Sequence, residues 1–89
     1  MIKIGDKIKL VCIAKNNSIT NKIEWREFIG NVIAITRYAI VLQKETGIKE
    51  SFNFSQLTDK NIKVMRRVNK SYEVLGYQDI SKQFGRNEL

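Results

Sequence analysis

Between residues 7 and 15, Ile8, Leu10, Cys12 and Ala14 fall on one parity while Lys7, Lys9 and Lys15 fall on the other. A period of two marks a half-buried strand, because successive side chains of an extended chain point to opposite faces. The same logic reads most of the remaining chain. From residue 24 to 36 a stretch rich in Trp, Phe, Ile and Val carries Gly30 in its middle, which predicts one long strand with a bulge or sharp bend. Thr36 and Arg37 form a tight turn, and residues 38 to 44 form a third strand with Tyr38, Ile40 and Leu42 on one face. Lys44-Glu45-Thr46-Gly47 reads as a hairpin turn with Gly47 at the position that needs positive φ.

Ile48, Glu50, Phe52 and Phe54 then alternate with Lys49, Ser51 and Asn53 as strand four. A short 3₁₀ turn over 55 to 59 brings Leu57 to the core, and residues 62 to 66 form strand five. Residues 15 to 22 are a polar, asparagine-rich loop. The expected fold is therefore mainly β: a five-stranded small barrel over 1–67, followed by an extension over 68–89 that packs on the barrel or stays partly flexible. In that extension Tyr72, Val74, Leu75, Tyr77, Ile80 and Phe84 are apolar enough to dock, and Asp79 is placed to cap a short helix reaching about Phe84.

A chain of 89 residues makes one domain, and its apolar and charged fractions, 43% and 28%, are those of a folded protein. Cys12 is the one cysteine, which removes any intrachain disulfide framework and any thiolate zinc cluster. Lys3, Lys7, Lys9 and Lys15 interrupt the N-terminal apolar residues, so neither a signal peptide nor a membrane span is expected and the reading is cytoplasmic.

Five short strands, a long first loop, a bent second strand and a 3₁₀ turn before the last strand together resemble the SH3-like small barrel. Within that architecture the run Gly30-Asn31-Val32-Ile33-Ala34-Ile35-Thr36-Arg37-Tyr38-Ala39-Ile40-Val41-Leu42-Gln43-Lys44 resembles the glycine-led strand pair of Sm-like proteins, the family of the RNA chaperone Hfq. Phe52-Asn53-Phe54-Ser55-Gln56-Leu57-Thr58 also resembles the short Veg-type barrels. The chain departs from the Sm-like pattern at Thr36, where that family usually carries an aspartate, and at Phe52-Asn53-Phe54, where it carries a histidine-bearing motif. With no histidine and no amphipathic helix before strand one, the family's ring-forming RNA site is not carried over; what the resemblance implies is a fold.

Enzyme signatures are missing. Without histidine there is no Ser-His-Asp or Cys-His arrangement, the five glycines are scattered singly and cradle no phosphate, and Cys12 falls on the apolar parity of its strand. Glu24 and Glu27 flank Trp25 and Arg26 and read as solvated surface charge. No catalytic residue, metal site or cofactor is expected.

Charge is the informative feature. Net charge is +7, and residues 60 to 70 hold Lys60, Lys63, Arg66, Arg67 and Lys70 with no acid among them. Such an excess favours polyanionic partners, although the abundance of isoleucine, lysine and asparagine is also what an A/T-rich coding sequence produces. In an SH3-like barrel the last strand lies beside the first, which would set Lys63 and Arg67 near Lys7 and Lys9 as one stripe able to track phosphates; lysines on an edge strand also guard against aggregation. Arg66 sits at the exit of the strand, and Arg37 and Tyr38 at the turn, with Trp25, are candidates to join the contact through charge and stacking. The expected function is non-enzymatic nucleic-acid binding, to DNA or RNA, through a basic face comprising Lys7, Lys9, Trp25, Arg37, Tyr38, Lys63, Arg66 and Arg67. The alternative is a protein-interaction module, of phage or mobile-element type, gripping an acidic patch on a host protein. An exposed sheet edge would also permit homo-oligomers by strand addition.

Overall fold

The alternating runs become strands of one antiparallel sheet. The computed structural model describes residues 1–12 and 27–85, so Trp25 and the polar loop expected at 15 to 22 lie outside the described residues. The elements are β1 (Lys7–Cys12), β2 (Glu27–Ile35), β3 (Ala39–Gln43), β4 (Lys49–Asn53), α1 (Phe54–Leu57), β5 (Ile62–Val68), β6 (Ser71–Leu75) and α2 (Tyr77–Gln83). The strand order is β4-β3-β2-β1-β5-β6, with every neighbouring pair antiparallel. The expected neighbourhood of the first and fifth strands is present: Ile8 lies opposite Arg66, Leu10 opposite Val64 and Cys12 opposite Ile62.

Two expectations are corrected. The sheet has six strands rather than five, and it is not closed into a barrel. Both follow from the hairpin after β5. Asn69 takes a left-handed conformation (φ 58°) that asparagine tolerates at low cost, and the chain folds straight back with Val68 opposite Ser71 and Val64 opposite Leu75. β6 thereby occupies the free side of β5, and β4 and β6 remain as the two edges.

The sheet is nevertheless curved around one core. Phe28 of β2 and Phe52 of β4 lie two strands apart, yet their rings meet edge to face at 5.2 Å on the concave side. Ile8, Leu10, Val32, Ile40, Leu42, Val64 and Leu57 fill the concavity, while Ile2 enters from the N-terminus and Ile80 from α2. α1 bridges β4 to β5, and α2 packs on β6 and α1, with Phe54 ring-stacked edge to face on both Tyr77 and Phe84.

Local chemistry explains the joints. The turn expected as 3₁₀ over 55 to 59 is a single α-helical turn starting at Phe54, because Asn53 caps it: the Asn53 side chain accepts from Gln56 N at 2.9 Å and the Gln56 side chain accepts from Asn53 N at 2.8 Å. The C-terminal helix likewise begins earlier than Asp79. Gly76 is its N-cap, and Asp79 sits in the first turn with its carboxylate accepting from Gly76 N at 2.9 Å. Gly47 has the positive φ (98°) expected of it. Thr36 Oγ1 accepts from Tyr38 N at 3.1 Å and Ala39 N at 3.0 Å; a hydroxyl here does what a carboxylate would do at the same turn.

Gly30 serves close approach, while the bulge expected around it falls at Ile33, the extra residue between the Val32–Leu42 and Ala34–Val41 pairs. A Cβ at Gly30 would stand 3.0 Å from the backbone oxygen of Gln43 and 3.1 Å from Leu42 Cβ. Backbone cannot swing aside as a side-chain tip can, so Gly30→Val is expected to destabilise the fold by about 1–3 kcal/mol despite the better strand propensity of valine. Urea unfolding at unchanged m-value measures it.

Candidate binding face

Strand parity divides the cations. On β1, Ile8 and Leu10 are buried, so Lys7, Lys9 and Val11 face outward. Directly paired residues of an antiparallel ladder share a face; Lys9 is opposite Met65 and Val11 opposite Lys63, so Lys63, Met65 and, by alternation, Arg67 lie on that same convex side. β2 and β6 extend the rows. One runs Ile29, Lys9, Met65, Val74 across four strands, and a second sets Glu27, Val11 and Lys63 side by side. In a third, Asn31 pairs with Lys7 and Tyr72 with Arg67.

Four of the candidate residues, Lys7, Lys9, Lys63 and Arg67, are therefore on one face of two hydrogen-bonded strands. Lys9 is the most engaged. Its Nζ lies 3.1 Å from Glu27 Oε2 and 5.2 Å from the centre of the Tyr72 ring, within the range where a cation is attracted to an aromatic face. Arg67 Nε donates to Asn69 O at 3.1 Å, which orients its guanidinium and leaves its charge uncompensated. Among the described residues no carboxylate lies within 4 Å of Lys7, Lys63 or Arg67. Between the cations the surface is apolar: Val74 is 55% exposed, Ile29 36% exposed and Met65 half-buried.

The other candidates are elsewhere. Arg66 has the opposite parity and faces the Ile8 side. There its Nη1 donates to Met1 O at 2.7 Å and its Nε to Glu73 Oε1 at 3.0 Å, its Nη2 also bonds Glu73, and Asp6 lies 3.9 Å away. Its charge is spent within the fold, clasping the N-terminal segment to β5 and β6; Ile2 N also donates to Gln83 Oε1 of α2 at 2.7 Å. Arg37 and Tyr38 form the exposed tip of the β2–β3 hairpin, beyond the Ile33 bulge and apart from the four-cation stripe. Trp25 is outside the described residues. Cys12 faces inward opposite Ile62 as a free, half-buried thiol.

Sequence reasoning left Tyr72, Val74 and Ile29 out of the binding set. The one local signal for the first two is Asn69, a residue that tolerates the left-handed conformation a tight turn needs, which allows residues 71 to 75 to fold back as a strand beside β5. Among the described residues no cluster of His, Cys, Asp and Glu is arranged to hold a metal ion, and no helix is long and apolar enough to cross a membrane.

The class these observations define is a small mainly-β protein with a six-stranded antiparallel sheet, a short C-terminal helix and a convex face carrying cations around an apolar centre. No family model, curated protein or solved structure matches the chain.

The two kinds of cation separate by stability. Arg66→Met removes a guanidinium shared by the half-exposed Glu73 carboxylate and the Met1 carbonyl and is expected to cost about 1 kcal/mol, whereas Lys63→Met stays within roughly 0.5 kcal/mol. Parallel urea titrations compare them.

Proposed function

We propose that the protein is a non-enzymatic nucleic-acid-binding module whose contact surface is the convex face of β1, β5 and β6. The observation that carries this reading is the shared face of Lys7, Lys9, Lys63 and Arg67, where Glu27 is the one acidic strand residue of the same parity among those described. Cations pooled on one face release counterions when they meet phosphates. The net charge of +7 adds long-range attraction. The strand order, with β1 beside β5 and a helical turn joining β4 to β5, supports relating the fold to the SH3-like small barrels, opened here by a sixth strand. We place the activity in the cytoplasm, without cofactor or metal, on the strength of the histidine-free composition and the lone cysteine.

Binding to a labelled oligonucleotide, followed by fluorescence anisotropy across salt concentrations, tests it. With about four phosphates neutralised, the slope of log K against log salt is expected near −3. Lys63→Glu with Arg67→Glu lowers affinity at least tenfold and flattens that slope by about half. A wild-type slope near zero, or a double variant that binds as wild type, overturns the reading.

One observation favours a second reading. Ile29, Met65 and Val74 in the midst of the cations also suit an acidic protein surface with an apolar centre. A stoichiometric protein partner that survives nuclease treatment, in a protein that fails the anisotropy test, is the outcome that selects it. The edges of β4 and β6, unpaired among the described residues, would permit self-association by strand addition, read by sedimentation.

A further inference from the structure

The convex face is not uniformly charged, and that is what separates one kind of polyanion from another. Rails of phosphate on a duplex present no apolar surface, so docking a duplex here would press Val74, Ile29 and Met65 against charged backbone. Unpaired bases have apolar π-faces that can cover those side chains and the Tyr72 ring while phosphates meet Lys7, Lys63 and Arg67. Among the described residues nothing on this side is shaped to enter a groove. The described helices, α1 and α2, bury Leu57 and Ile80 in the concave core, and a broad sheet face is wider than the helix or two-stranded ribbon that a major groove of about 12 Å admits.

A second feature adjoins the same face. Where β5 and β6 meet the start of α2, a cleft of about 270 Å³ opens, lined by Leu57, Ile62 and Leu75, by the exposed Lys60 and Lys63 with one carboxylate, Asp59, and by the half-exposed Tyr77. Val74 and Lys63 belong to both the cleft and the convex face, so the two surfaces are continuous. Apolar side chains, an aromatic ring and two ammonium groups against one carboxylate suit a planar ring that carries a phosphate.

Resting on the reading of the convex face as a nucleic-acid surface, we infer that the ligand is single-stranded polynucleotide, its backbone running over Lys7, Arg67 and Lys63 and one unstacked base entering the cleft beside Tyr77. Single-stranded DNA and RNA share this chemistry. Lys60, which lies off the four-cation stripe, then acts through the cleft alone.

The experiment compares a labelled oligo-dT, an oligo-rU and a duplex of equal length by anisotropy at low salt, with amide shifts of the ¹⁵N-labelled protein as a second readout. Either single strand is expected to bind at least tenfold tighter than the duplex, and the ratio of dT to rU tells which source is preferred. Leu75, Gly76 and Tyr77 amides shift with single strands and not with duplex. Lys60→Ala weakens single-strand binding roughly threefold or more and leaves duplex binding unchanged, its spectrum otherwise matching wild type as evidence of folding. Duplex binding equal to or tighter than single-strand binding, or silent cleft amides, overturns this inference while the basic-face reading stands. No binding to any of the three polymers overturns that reading as well.

Discussion

Everything on the convex face depends on the central position of β1, hydrogen-bonded to β2 on one side and β5 on the other. Backbone pairing of this kind is indifferent to side chains, but it sets strands about 4.8 Å apart and makes every paired residue share a face with its partner. The register with Leu10 against Val64 is selected because a slip by one residue would carry Ile8 and Leu10 out of the core and Lys7 and Lys9 into it. The apolar effect that chooses the register therefore also gathers the cations. Their mutual repulsion at the surface is softened by solvent, by Glu27 and by the Tyr72 ring, and is small beside the burial that enforces it.

The same parity rule gives two adjacent arginines opposite roles. Arg66 and Arg67 are neighbours in the chain, yet one is held by Glu73, Asp6 and the Met1 carbonyl and the other stands outward beside Tyr72. A cation that satisfies a carbonyl and two carboxylates has little field left to offer a partner. One turned to solvent keeps its charge. The clasp has its own consequence, since it ties the N-terminal segment, with the buried Ile2, to β5, β6 and α2 and closes the side of the core that an open sheet would leave wet.

Much of the fold was legible where the signal was local. The alternation in β1, the positive φ at Gly47 and the burial of Leu57 arise from groups a few residues apart, so their geometry is written in short stretches of chain. β6 was missed because its outward residues, Tyr72 and Val74, are apolar and its inward Glu73 is charged, the reverse of the usual pattern. That inversion makes sense only once Arg66 is seen across the ladder from Glu73. The bulge was assigned to Gly30 and lies at Ile33, since glycine signals both bending and close approach and only the neighbouring strand tells which applies.

The amino-acid sequence alone determined that the chain is mainly β, that its first basic segment alternates so as to turn charge outward, and that it lacks the histidine on which most acid–base and nucleophilic sites are built. Tertiary structure alone decided which strands are neighbours, that a sixth strand keeps the sheet from closing, and which cations are free and which are spent. The reason is range. Parity and turn preference are settled within a few residues, whereas the pairing of β1 with β5 joins residues such as Ile8 and Arg66, far apart in the chain, through backbone bonds that carry no residue label.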